Sequence, residues 1–201
     1  MEIFFEDGTS VVVDMLIGAD GAQSLTRKQR CPEIVNESLN IVNVGGTVAV
    51  DAVKADHIAK YASKGLLRAL GDNGRSLLTF EFNPSNGKVE FLWALSWPHQ
   101  PQLGLKEIFG CDPMTENHEI FMKAVHDKII EEAEKNFSNP DVAKLIRTTP
   151  TEHLLDPRPV CSSKPRKVRP WSNTTRVILL GDAIHPMTTH AGMGKTGADF
   201  I

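Results

Sequence analysis

Hydrophobic positions fall into different patterns at the two ends and in the middle of the chain. At the N-terminal end the apolar run over residues 3–6 predicts a strand, Asp7-Gly8 a two-residue hairpin turn, and Thr9 to Val13 the returning strand. Met15-Leu16-Ile17 then stops at Gly18-Ala19-Asp20-Gly21, much as Val177-Ile178-Leu179-Leu180 stops at Gly181-Asp182. Continuous apolar runs this short, bounded by turn residues, suit buried strands of a parallel sheet, which need neighbours on both faces. Ser24 to Arg30 reads as a short polar helix or loop.

The middle carries longer periods. Ile41 to Val50 is rich in strand formers, and Gly45-Gly46 within it predicts a bulge or a close backbone approach. Asp56 to Leu70 is expected to be helical. Ser76 to Phe82 and Val89 to Trp97 read as strands joined by the turn Asn83-Pro84-Ser85-Asn86-Gly87. From Asn117 to Phe137 the apolar residues Ile120, Phe121, Ala124, Val125, Ile129, Ile130, Ala133 and Phe137 form a helical stripe, the kind that packs on a sheet. Asn139 to Arg147 predicts a further short helix, entered through Pro140.

Composition narrows the classes. At 201 residues, 41% hydrophobic and 23% charged, the chain is neither disordered, collagen-like nor a coiled coil. A net charge of −3 gives no long-range attraction to nucleic acid or anionic lipid. No apolar stretch approaches the roughly 18 residues of a membrane span, and the opening Met1 to Glu6 lacks the basic and apolar regions of a secretory signal. Cys31, Cys111 and Cys161 are scattered, which argues against a disulfide framework or zinc module and for a reducing compartment, the cytoplasm. Seven scattered histidines predict no metal site. The basic run Lys164 to Arg169 reads as a solvated loop rather than an anion patch. Glu131, Glu132 and Glu134 are expected on the polar side of the long helix, not as an acid–base pair.

The last stretch carries the chemistry. A strand, an aspartate at its carboxyl end and a Gly-rich segment opening a helix form the usual setting for a nucleotide ligand. Backbone N–H groups at such a helix start favour negative charge, and glycines let the ligand approach closely. A P-loop is one alternative, on Gly194-Lys195-Thr196. However, Thr189 stands where that motif needs its first glycine, and only five residues follow Thr196.

A second reading rests on two motifs together. Asp14 to Arg27, DMLIGADGAQSLTR, resembles the Asp-Gly motif of FAD-dependent aromatic hydroxylases, the group A flavoprotein monooxygenases. Arg176 to Gly194, RVILLGDAIHPMTTHAGMG, resembles their Gly-Asp motif, and Pro170-Trp171 resembles the tryptophan that often precedes it. The resemblance implies an α/β fold: a partial FAD/NAD(P)-binding Rossmann-like domain made of residues 1–30 and 170–201, with a mixed α+β substrate-binding-like domain, 31–169, inserted between them. It implies that Asp182 accepts a hydrogen bond from a ribityl or ribose hydroxyl of FAD, with Gly181 and Ala183 leaving room for the cofactor chain. His185 and Pro186 would run beside the flavin ring. Gly192, Met193 and Gly194 would present N–H groups to its pyrimidine end, where charge develops on reduction. Asp20, Gly21 and Arg27 would lie near the pyrophosphate and the path of NAD(P)H.

The implied activity is an NAD(P)H-dependent monooxygenase that hydroxylates an aromatic or similar small organic substrate with O2, through a flavin C4a-hydroperoxide. The cofactor does the hard chemistry, so no catalytic side chain is assigned. Substrate contacts are expected on the central sheet, with Thr47, Thr79 and Trp93 as candidates. Two departures accompany the resemblance. The chain lacks the N-terminal Gly-x-Gly-x-x-Gly unit that holds the ADP half of FAD in this family, and Lys195-Thr196-Gly197 differs from the Asn-containing continuation usual there. The expectation is therefore a fragment that alone neither holds FAD tightly nor hydroxylates, with a non-catalytic truncated remnant as the alternative.

Overall fold

The computed structural model describes residues 1–49, 66–82, 90–163 and 176–186. The chain divides into two compact units, Met1–Leu39 with Cys161–Ile201, and Asn40–Val160.

The first unit opens with the hairpin β1 (Glu2–Phe4) and β2 (Ser10–Val12), antiparallel with Glu2 opposite Val12. Its turn forms because the Asp7 carboxylate accepts from the Thr9 amide at 2.9 Å and hydroxyl at 2.7 Å, while Gly8 supplies φ +85°. Those bonds, the hydroxyl's first, hold the Asp7 carboxyl below its ordinary range. β3 (Leu16–Gly18) and β9 (Val177–Leu179) pair in parallel, with Gly18 opposite Leu179. The helix α1 (Leu25–Arg30) follows β3.

Burial on both faces of these strands is only partly realised. Gly18 and Leu179 are buried, and Leu179 packs with Cys31, Ala183, Ile34 and Ile184. Ile17 and Ile178 stay 55% and 39% exposed. The reason is that packing reaches the pair from one side only among the described residues.

The second unit is built on a sheet ordered β5-β6-β7-β4-β8, from Leu67–Leu70, Ser76–Phe82, Glu90–Pro98, Asn36–Ala49 and Arg158–Ser163. β4 and β8 carry the chain from one unit to the other and back. Alternation assigns one face to the core: Val42, Val44 and Val48 on β4 share it with Phe91, Trp93, Leu95 and Trp97 on β7 and Leu77 on β6. The amphipathic helices α3 (His118–Asn136) and α4 (Pro140–Thr148) complete that core through residues such as Val125, Ile129, Leu145 and Ile146. Asn117 and Asn139 cap them, each side chain accepting from an amide two residues on. The short α2 (Leu105–Phe109) adds Phe109, set edge-on between Trp97 and Phe121.

Two sequence expectations need correction, and a third, given as two alternatives, resolves to one of them. Residues 67–70 are strand, not helix, because Leu67 and Ala69 alternate with Arg68 and Leu70 and pair with Thr79 and Leu77; residues 56–65 lie outside the described residues. Gly45-Gly46 makes no bulge, since β4 pairs with β7 without interruption. It does make the close approach: a Cβ on Gly46 would come within 2.8 Å of the Trp93 ring. Glu132 is buried rather than on the polar side of its helix. It accepts from Arg75 Nη2 at 2.9 Å and Nε at 3.0 Å, with Lys128 Nζ at 3.3 Å, beside a cavity of about 620 Å³. The basic run 164–169 and the turn 83–87 lie outside the described residues. Among the described residues, no helix is long and apolar enough to cross a membrane.

Trp93 is fully buried, and its indole N–H donates to Thr149 Oγ1 at 2.9 Å. Trp93→Ala is expected to cost about 3–5 kcal/mol in denaturant unfolding. Thr149→Val, which leaves that donor unpaired, should cost about 1–3 kcal/mol.

Candidate cofactor site

Parallel pairing brings the ends of β3 and β9 to the same side of their small sheet, so the loops that leave them are neighbours. The ladder continues beyond the strands at both ends: Leu16 donates its amide to Arg176 O at 2.8 Å, and Leu180 to Gly18 O at 2.9 Å. Gly18 is required at its place, since a Cβ there would lie 2.7 Å from the Leu179 side chain and 2.9 Å from Thr26.

The loop after β3 is organised around Asp20. Its carboxylate accepts from the amide and the hydroxyl of Thr26, both at 3.1 Å. A hydrogen bond from the Ser24 hydroxyl, together with the bonds from Thr26, holds its pKa down to about 2 against the opposing effect of burial. Ser24 is also the N-cap of α1, its Oγ accepting from the Arg27 amide at 2.8 Å. Gly21 turns the chain with φ +74°.

The loop after β9 is a single 3₁₀ turn, Gly181–Ala183. Gly181 adopts φ +58° with no atom of the described residues within 4 Å of where a Cβ would stand. Ala183 is fully buried, whereas Asp182 is exposed and its carboxylate has no partner among the described residues. His185 is exposed, and its amide donates to Gly181 O at 3.0 Å. Pro186 is buried, and its carbonyl accepts from the Ser163 amide at 3.1 Å.

Arg27 joins the two loops. Only 2% exposed, it donates through Nη1 to Ala183 O at 2.8 Å and Asp182 O at 3.0 Å, and through Nη2 to Ala22 O. Asn36 Nδ2 donates to the same Ala22 carbonyl. The sequence residues Asp20, Gly21, Arg27, Gly181, Asp182 and Ala183 are thus brought to one end of one unit, with His185 and Pro186 following. Gly192, Met193 and Gly194 lie outside the described residues. With Gly197 they reproduce the Gly-x-Gly-x-x-Gly spacing, but after the second motif instead of at the start of the chain.

Residues that the motifs did not single out complete the arrangement. Ser24 and Thr26 could be found from the preference of serine and threonine for helix starts. Asn36 had no local signal, because its partner lies fourteen residues earlier in a loop.

Comparison with known proteins bears on this arrangement. No protein-family model matches the chain. The curated FAD-dependent monooxygenase thnD of Trichoderma harzianum is 26% identical over 204 residues, covering 96% of this chain and 45% of its own length. The chain is similar to FAD-dependent monooxygenases over nearly its whole extent. Among solved structures, 2,6-dihydroxypyridine-3-hydroxylase from Arthrobacter nicotinovorans superposes with a TM-score of 0.74 at 20% identity, over 98% of this chain and 49% of that one. CtdE, solved in complex with FAD, gives 0.62 at 18% identity, over 96% and 47%. These likenesses establish a mixed α/β flavin-monooxygenase fold, and the chain spans about half the length of the proteins it matches.

Within that fold the central-sheet candidates separate. Trp93 and Thr79 are both fully buried on the face that packs against the helices, so they serve the core. Thr47 lies on the opposite face, where its β7 neighbour is Leu92.

The Asp20 cluster has a measurable consequence. Its carboxyl is depressed in the folded chain, so it stabilises the fold above its ordinary pKa near 4, and that contribution is lost as pH falls toward 2. An NMR titration should place the Asp20 midpoint at about 2. Ser24→Ala should move it back toward the ordinary value.

Proposed function

We propose that this chain forms the flavin-contacting and substrate-facing parts of an NAD(P)H-dependent FAD monooxygenase that hydroxylates an aromatic or similar small organic molecule with O2. The observation carrying this reading is the parallel β3–β9 pair, which sets the Asp-Gly and Gly-Asp loops side by side with an exposed Asp182 carboxylate that has no partner among the described residues. The relatives' names supply the reaction class.

The local chemistry fits a flavin nucleotide. A short acceptor at a strand end suits a sugar-alcohol hydroxyl, and Gly181 with the small Ala183 leaves the approach open. When bound, the flavin supplies hydride acceptance and oxygen activation. The protein's part is to hold and orient. Asp182 would accept the hydroxyl and His185 and Pro186 would border the ring, while Gly192, Met193 and Gly194, assigned by the motif resemblance to its pyrimidine end, lie outside the described residues. Asp20 and Gly21 shape the loop on the phosphate side. In this reading residues 1–30 and 170–201 are the cofactor domain and 31–169 the substrate-binding-like domain, acting in the cytoplasm.

Substrate contact belongs to the sheet face opposite the helices. Thr47, Leu92 and Ala94 lie there with Asn43, whose Oδ1 has no hydrogen-bond partner among the described residues.

The test is FAD titration of the 201-residue chain, followed by ligand-observed NMR. A weak complex is expected. Asp182→Ala should raise its Kd about tenfold to a hundredfold, the effect of losing one acceptor from a hydroxyl. Equal affinity in the variant would overturn the assignment of Asp182.

A further inference from the structure

We infer that Arg27 is a positioning residue: its buried guanidinium pegs the loop after β9 to the loop after β3 and so sets where the Asp182 carboxylate stands. The inference rests on the reading of Asp182 as the acceptor for a cofactor hydroxyl. It differs from the phosphate-side contact that the motif resemblance implies for Arg27.

The turn Gly181–Ala183 explains why a peg is needed. Its internal bonds use the carbonyls of Leu180, accepting from the Ala183 amide, and of Gly181, accepting from the Ile184 and His185 amides. The next two carbonyls, of Asp182 and Ala183, are the ones Arg27 takes up, at 3.0 and 2.8 Å. Ala183 is fully buried, so without Arg27 its carbonyl would lose a partner that water cannot readily replace. Gly181, in the left-handed region, gives the turn no stiffness of its own.

The same geometry leaves Arg27 little to offer a ligand. With 2% exposure, its Nη1 is shared between two carbonyls and Nη2 donates to Ala22 O. Among the described residues no carboxylate lies within ion-pair distance of it, so its charge is supported by carbonyl dipoles alone. Nε has no acceptor among the described residues, so the hydrogen bonds that orient the fork there are those of the two Nη groups. A single ammonium cannot reproduce a planar fork that reaches carbonyls in two loops. The Ser24 cap on the Arg27 amide fixes the root of the side chain, so main chain and guanidinium are held independently.

The experiment compares the 201-residue chain with Arg27→Lys, Asp182→Ala and the double variant. In Arg27→Lys, amide exchange at Ile184 and His185 should rise about tenfold or more, while amides of β4 and β7 keep their wild-type rates as an internal check on folding. FAD affinity should fall in Arg27→Lys, by an amount comparable to Asp182→Ala. In the Asp182→Ala background the Arg27 change should then add less than about twofold, because both act through one carboxylate. Additive losses with unchanged exchange at the turn would overturn the inference and make Arg27 a direct ligand contact. Unchanged exchange without any loss of affinity would also overturn it. No FAD binding by the wild-type chain would refute the reading of Asp182 and with it the positioning role, while exchange at the turn would still report whether the peg exists.

Discussion

The first unit depends on one constraint: two strands of three residues each, 16–18 and 177–179, must pair across the whole intervening chain. Parallel strands cannot be joined by a tight turn, and a long loop must be closed before any of their hydrogen bonds form. Three-residue strands repay little of that entropy through their own ladder. The pairing therefore needs support from side chains, and Leu179, Cys31 and Ala183 supply the apolar part. Arg27 supplies the polar part, binding carbonyls on the other side of the pairing. The two contributions are of different kinds. Apolar burial holds the strands without direction, whereas the guanidinium fork specifies which carbonyls face it.

The second unit solves the opposite problem. Its antiparallel strands are long and mostly close in sequence, so alternation alone sorts core from second face across β4, β6 and β7. Two glycines in the middle of β4 keep the backbone within reach of Trp93, and the indole is in turn tied to Thr149 at the end of α4. The buried charge inside this core is paired, although the Thr79 hydroxyl has no partner among the described residues. Glu132 receives Arg75, Lys128 and Asn136, so its burial leaves no uncompensated charge. The helix-packed side of the scaffold is thereby tied together by both apolar packing and paired charge.

Much of this was legible beforehand. The hairpin at Asp7-Gly8, the strands β6 and β7, both long helices and the two short parallel strands follow from runs, alternation and turn residues, which act over a few positions. The two flavoprotein-like motifs named Asp20, Gly21, Arg27 and Asp182 because each motif is local. Helix for residues 67–70 failed because four residues offer no period strong enough to compete with an available sheet edge. The polar assignment of Glu132 failed for a related reason. A carboxylate looks solvent-facing in a sequence until a partner such as Arg75, distant along the chain, is folded against it.

By itself, then, the sequence determined which segments become strand or helix and which loops carry a nucleotide-type signature, since these depend on short-range sterics and periodicity. Tertiary structure alone decided how the motif residues are used. That Arg27 turns inward to carbonyls 155 and 156 residues away, beside a turn that leaves the Asp182 side chain exposed, is a consequence of long-range pairing. No local rule encodes that use of Arg27, because the carbonyls of Asp182 and Ala183 become its neighbours only once β3 and β9 lie side by side.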